Sequence, residues 1–252
     1  MTDNPYDAKD AVADDAKPAF RIRWGWVLGL TGICAIAVLL LVPTFARNRV
    51  LAERVQCKNN LQHIAKALHS YHDEHGSFPP AYTTDASGKP LHSWRTLLLP
   101  HLEQKALYDS IDLTKPWDDA ANALAFQTVV PVFQCRATDL PPEFTTYRAM
   151  VGDDAVFHSA QKRTLDDVTD GTENTLAVVE VLSENAVHWM NPDDKGVDAF
   201  RALAGTRETS HTGGVYGMFC DGSVRFISAS ISRDMQEAAI TISGGEDNSN
   251  DF

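Results

Sequence analysis

Three histidines stand at equal intervals in one stretch of this chain, His69, His72 and His75. Residues three apart on a helix lie close together, and two imidazoles so placed can share a zinc ion. The third, six residues from the first, has rotated off that face, and no His-Glu-x-x-His pattern accompanies them. The trio therefore predicts polar surface contacts. His211 and Asp221 offer another chemistry, an imidazole base with a carboxylate to orient it, which with acidic neighbours could serve a metal-dependent hydrolase. Yet Asp221-Gly222 has the composition of a tight turn, and His211 precedes Gly213-Gly214 where the chain enters a strand. No nucleophile elbow such as Gly-x-Ser-x-Gly occurs. Asp170-Gly171 with Asn174 reads the same way, as a turn whose side chains satisfy local backbone groups. No catalytic residue and no metal ligand is assigned.

Clustered acids (Asp153-Asp154, Asp166-Asp167 with Asp170, Asp193-Asp194) invite calcium, but none has EF-hand spacing, so calcium enters without assigned ligands. Of four cysteines, Cys34 falls in an apolar run, leaving Cys57, Cys135 and Cys220 with no Cys-x-x-Cys spacing. One disulfide plus a free thiol outside the cytoplasm and three reduced core thiols inside it both remain open.

These residues need elements to hold them. The chain has 252 residues and a formal net charge of −12, with acidity spread along its length. That sign excludes nucleic acid, whose phosphates require a basic patch. Residues 24–46, WGWVLGLTGICAIAVLLLVPTFA, carry no Asp, Glu, Lys, Arg or His. About 20 apolar residues suffice to cross a bilayer as a helix, so one transmembrane span is expected there. Arg21 and Arg23 flank one end and Arg47 and Arg49 the other, a balance that leaves orientation undecided. Residues 1–23 are expected to be a disordered tail.

Beyond the span Cys57, Leu61, Ile64, Leu68 and Tyr71 advance by fours and threes, one face of a helix that Val50, Leu51 and Val55 extend backwards. Gly76 and Pro79-Pro80 end it, and Pro43 predicts a kink. A second helical region is expected over 92–109, broken at Pro100, with strands over 129–135, 144–151 and 175–181. Val215–Cys220 and Ser223–Ser228 read as a hairpin on a two-residue type I′ Asp-Gly turn. The expected division is a tail (1–23), a transmembrane helix (24–46), a head (47–235) and an acidic C-terminal tail (236–252).

Several blocks together resemble a large bacterial family of prepilin-like proteins of unknown function, named for a His, nine residues, then Asp-Gly. Here that motif is His211 followed by Asp221-Gly222. The other blocks are CKNNLQHIAKALHSYHDEHGSFPPAY (57–82), SWRTLLLPHLEQKALYDSID (93–112), PWDDAAN (116–122), VPVFQC (130–135), TYRAMVGDDAVF (146–157), TDGTENTLAVVE (169–180) and WMNPDD (189–194). The resemblance implies an α+β, pilin-like fold: a long N-terminal helix, transmembrane in its first half, packed on an antiparallel β-sheet head. It also implies a cytoplasmic N-terminus and a head in the periplasm or at the cell surface. Cys57 and Cys135 become the implied disulfide, which would stabilise the head by roughly 4 kcal/mol in the chain-entropy model. One departure stands out: Gly25 is followed by Trp26, and Leu30 stands where such relatives carry Glu, so a permanent anchor is expected rather than leader cleavage. The function expected is a non-enzymatic, membrane-anchored structural or assembly protein with protein partners or self-association. The alternative is an extracytoplasmic module for a glycan or protein ligand, built on Trp94, Trp117 and Trp189.

Overall fold

A computed structural model describes residues 24–159, 161–206 and 209–245, with side chains in 24–50 described only at Gly29 and residues 31–33. The expected tail over 1–23 lies outside the described residues. The chain divides into two units, Met1–Asn48 and Arg49–Phe252. In the first, residues 24–48 are helical, the opening of helix α1 (Trp24–His75). Among the described residues no helix is long and apolar enough to cross a membrane. Most side chains of the uncharged run 24–46 lie outside that description.

The second unit is α+β. It contains strands β1 (Tyr82–Thr84) and β2 (Pro90–Ser93), then helices α2 (Trp94–Leu97), α3 (Lys105–Asp109) and α4 (Ala123–Phe126). Strands β3 (Phe144–Thr145), β4 (Tyr147–Ala149), β5 (Leu176–Glu180) and β6 (Val187–His188) follow. Helix α5 (Gly196–Arg201), strands β7 (Gly214–Phe219) and β8 (Val224–Ser228), and helix α6 (Arg233–Ile240) complete it. The main sheet is antiparallel in the order β4-β5-β7-β8; β1-β2 and β3-β6 form two small antiparallel pairs.

The stripe on α1 is realised. Cys57, Leu61, Ile64 and Leu68 are fully buried, and Tyr71 packs at its edge. The backward extension is not: Leu51 and Val55 are each 58% exposed, because the core they would cover ends near Cys57. Gly76 ends α1 with a φ of 70°. Its N–H donates to His72 O at 2.7 Å, the left-handed close that a glycine makes without a Cβ penalty.

The main sheet is covered on both faces. Ala149, Val178 and Met218 meet the α1 side, while Val179, Val215 and Ile227 meet α5 and α6. A strand buried on both faces shows no polar alternation, which is why every residue of β5, Glu180 included, is buried. Val178 and Glu180, two apart, point to the same face, toward α1.

Three expectations are corrected. Residues 129–135 form no strand: Pro131, lacking an N–H, opens a 3-10 turn over Pro131–Phe133. The head does not stop at 235, for α6 buries Ala238, Ala239 and Ile240, and Ile242 behind them, against the sheet. The expected acidic tail is thus packed structure through residue 242, and residues 246–252 lie outside the described part. The β7-β8 hairpin has three connecting residues rather than two, since Phe219 N–H donates to Ser223 O at 2.9 Å. Gly222 alone takes positive φ (84°), and Asp221 stays at negative φ, so a type I turn closed by a left-handed glycine replaces type I′. The region 92–109 holds α2 and α3 with a 3-10 turn at Leu99–Leu102 between them, as Pro100 requires.

Candidate functional site

Glu180 projects from β5 toward α1 and meets three other buried side chains. Cys57, Cys135, Glu180 and His211 each place one donor atom within 4.8 Å of the others. Cys57 Sγ lies 2.7 Å from Cys135 Sγ, and Cys135 Sγ–H donates to Glu180 Oε1 at 2.8 Å. His211 Nε2 stands 3.1 Å from Glu180 Oε2, with side-chain exposures of 2% and 0%.

Each member is held by its neighbourhood. Asn60, one turn along α1 from Cys57, donates Nδ2 to Gln134 O at 2.8 Å and so lays the segment carrying Cys135 against the helix. Gln56 Nε2 donates to Asn60 Oδ1 at 2.9 Å and fixes that amide. His211 makes an isolated bridge to Gly214 at the entrance of β7. Arg54 Nη2 donates to Thr212 O at 2.9 Å, tying this entrance to α1 as well. The Tyr216 ring meets the imidazole edge-on at 5.2 Å, and Tyr216 N–H donates to Glu180 Oε2 at 3.3 Å.

The charges follow from this crowding. The hydrogen bond with Cys135 outweighs burial and lowers the Cys57 thiol from 9.0 to about 6. Burial opposes charge on His211, but its interactions with Cys57 and Glu180 prevail and raise it from 6.5 to about 9. Cys135 is pushed up by its Cys57 partner and by burial, so it keeps its proton. The linkage signs are opposite. His211, raised, contributes stability in full below 6.5 and loses it as pH rises through about 9. Cys57, lowered, contributes in full above 9.0 and loses it as pH falls through about 6. In the reduced chain these slopes offset, so stability should change little between about 6.5 and 9, and Cys57→Ser, which removes the largest interaction raising His211, should bring the titration of that ring down. Denaturant titrations across that range, with the His211 ring followed by NMR, check both.

The other sequence candidates are placed differently. His211 pairs with Glu180, not with Asp221, whose carboxylate accepts from Ser223 N–H at 2.8 Å inside the hairpin turn. Asp170 Oδ2 and Oδ1 accept from Gly244 and Gly245 N–H at 2.6 and 2.8 Å, and Asn174 Nδ2 donates to Asp170 O at 3.0 Å. With Gly171 at a φ of 98°, that turn is a clasp for the C-terminal segment. His69, His72 and His75 do not converge. His72 Nε2 accepts from Leu165 N–H at 3.3 Å, and His75 stacks on Tyr71 at 4.0 Å. His75 instead shares an exposed corner with Glu74 and His101. None of the aspartate clusters forms a ligand group among the described residues.

Asp194 has a buried structural task. It accepts from Arg95 Nη2 (2.6 Å), Arg148 Nε (2.7 Å) and Trp94 Nε1 (2.8 Å). Sequence reasoning missed both this knot and Glu180. The available sign was an acid closing an otherwise apolar strand, LAVVE, where solvent would not be expected.

What this geometry defines is an α+β head with a buried thiol, imidazole and carboxylate tetrad. The chain belongs to the family described as protein of unknown function (DUF1559), whose model matches residues 48–210. The match takes in Cys57, Cys135, Glu180 and Asp194 and stops one residue short of His211, leaving Asp221-Gly222 beyond it. No curated protein and no solved structure matches the chain.

Proposed function

We propose that this is a membrane-anchored, pilin-like structural or assembly protein that displays its α+β head outside the cytoplasm and performs no catalysis. The observation that carries it is the order of features along α1. An uncharged run of 23 residues (24–46) opens the same helix whose later part supplies the stripe that seals the head's core. Side chains able to do chemistry are spent inside the fold: His211 and Glu180 are shielded from solvent, and Asp221 and Asp170 hold turns. The full-length chain is expected to stay with membranes through an alkaline wash, to be released by mild detergent, and to have its head shaved by protease from spheroplasts whose cytoplasmic membrane is sealed. Release by alkaline buffer alone would overturn the anchor, and a head protected in sealed spheroplasts would overturn the display.

A second reading, an extracytoplasmic ligand-binding module, retains one specific support. Trp94 and Trp189 are buried, but Trp117 is only half-buried and lines a groove of about 340 Å³ with Phe126, Phe144 and His188. Phe126 and His188 stack at 4.3 Å, and Trp117 lies 5.2 Å from the same imidazole. Aromatic faces of this kind suit sugar rings or an apolar peptide side chain. Oligosaccharide titration should then quench the fluorescence of the wild type and not of Trp117→Phe; no change with either would dismiss this reading.

A further inference from the structure

We propose that Cys57, Cys135, Glu180 and His211 form a closed binding site for a thiophilic divalent cation of the zinc class. The four donors come from α1, the segment after the Pro131–Phe133 turn, β5 and the entrance to β7, so only the fold assembles them. Their positions give no motif, which is why ligand spacing in the sequence does not reveal them.

Four metal-ligating atoms crowd together here, one of them with no hydrogen bond. The one S–H of Cys135 faces both Cys57 Sγ at 2.7 Å and Glu180 Oε1 at 2.8 Å. His211 Nε2 is buried, off the hydrogen-bonding direction to the carboxylate 3.1 Å away, and makes no hydrogen bond. Two sulfurs, a carboxylate oxygen and an imidazole nitrogen with no hydrogen bond thus converge on a point that a cation, displacing their protons, would satisfy. Bonds of about 2.3 Å to sulfur and 2.0–2.2 Å to nitrogen and oxygen set tetrahedral edges of roughly 3.3–3.8 Å. The observed separations fall on either side, from 2.7 Å between the sulfurs to at most 4.8 Å. Binding would part the two sulfurs by about 1 Å and require the carboxylate and imidazole to shift by a similar amount.

The donor types choose the ion. Two sulfurs and an imidazole suit zinc-class metals and reject calcium and magnesium, which require oxygen shells. Four protein ligands leave no open position, so the ion would be structural, pinning α1 to the sheet. Binding releases the thiol protons and takes His211 in its neutral form, so affinity rises with pH. The inference is independent of the membrane anchor.

The test uses the full chain in mild detergent, purified anaerobically with reductant, stripped with chelator and titrated with Co²⁺. A sulfur-to-cobalt charge-transfer band and intense tetrahedral d–d bands are expected, saturating at a single ion and erased by Zn²⁺. Cys57→Ala and Cys135→Ala should each lose most of the charge-transfer intensity, Glu180→Gln should weaken binding, and Cys220→Ser should leave the spectrum intact. Because a ligand variant could unfold, the wild-type spectrum decides: a folded, reduced wild type without the charge-transfer band overturns the site. So would a native protein that carries a Cys57–Cys135 disulfide and no metal, or Co²⁺ spectra unchanged in Cys57→Ala.

Discussion

Asp194→Ala is expected to remove roughly 3–5 kcal/mol of stability, the cost of leaving buried charges without their partner. Two guanidinium groups depend on this carboxylate, Arg95 and Arg148, with side-chain exposures of 0% and 5%. Burial already pulls Arg95 down to about 10, with Asp194 opposing that fall, so at neutral pH it remains charged. Its Nε and Nη2 also reach Tyr147 O at 3.2 and 2.5 Å, and its guanidinium lies 4.8 Å over the Trp94 ring. None of these neutral contacts replaces an anion. The same carboxylate accepts Trp94 Nε1–H and Ala149 N–H, so its loss also frees two neutral donors inside the core. Asp194→Asn keeps an acceptor of the same shape and should cost less than alanine. Urea titration of the full chain in detergent, followed by tryptophan fluorescence, measures both. Alanine costing no more than about 1 kcal/mol, the range of an exposed ion pair, would refute this account.

His211→Ala should be comparably severe in the reduced, metal-free chain, again roughly 3–5 kcal/mol, because it strands Glu180. That carboxylate is fully buried, and among the described residues His211 is its one ion-pair partner. What remains, the Cys135 S–H at 2.8 Å and the Tyr216 N–H at 3.3 Å, cannot neutralise it. Removing the charge should therefore rescue the fold: Glu180→Gln added to His211→Ala should be less destabilised than the sum of the two single variants. Chelator and reductant in every sample keep this measurement separate from ion binding. Additive losses would mean that the two side chains do not interact. Asp221→Ala is the contrasting case, for it loses only a turn hydrogen bond worth about 1 kcal/mol.

The sequence by itself determined the helical stripe from Cys57 to Tyr71, its stop at Gly76, the broken helical region around Pro100 and the β7-β8 hairpin. Each is local: helical periodicity, a glycine at positive φ, a missing proline N–H or an Asp-Gly pair acts within a few residues. It also drew attention to Cys57, Cys135 and His211, three of the four tetrad members. Their grouping was another matter. Residues 57, 135, 180 and 211 meet because β5 pairs with β4 and β7 while α1 lies over that face, and strand order leaves no mark in a single sequence. Glu180 was hidden for the same reason, since only a sheet covered on both faces puts an acid at the end of LAVVE out of water. Asp194 read as one acid in a cluster until the fold set two arginines and a tryptophan around it. His211, first considered as a base oriented by Asp221, is decided by tertiary contact alone: the turn keeps Asp221 for Ser223, and the core gives the imidazole to Glu180.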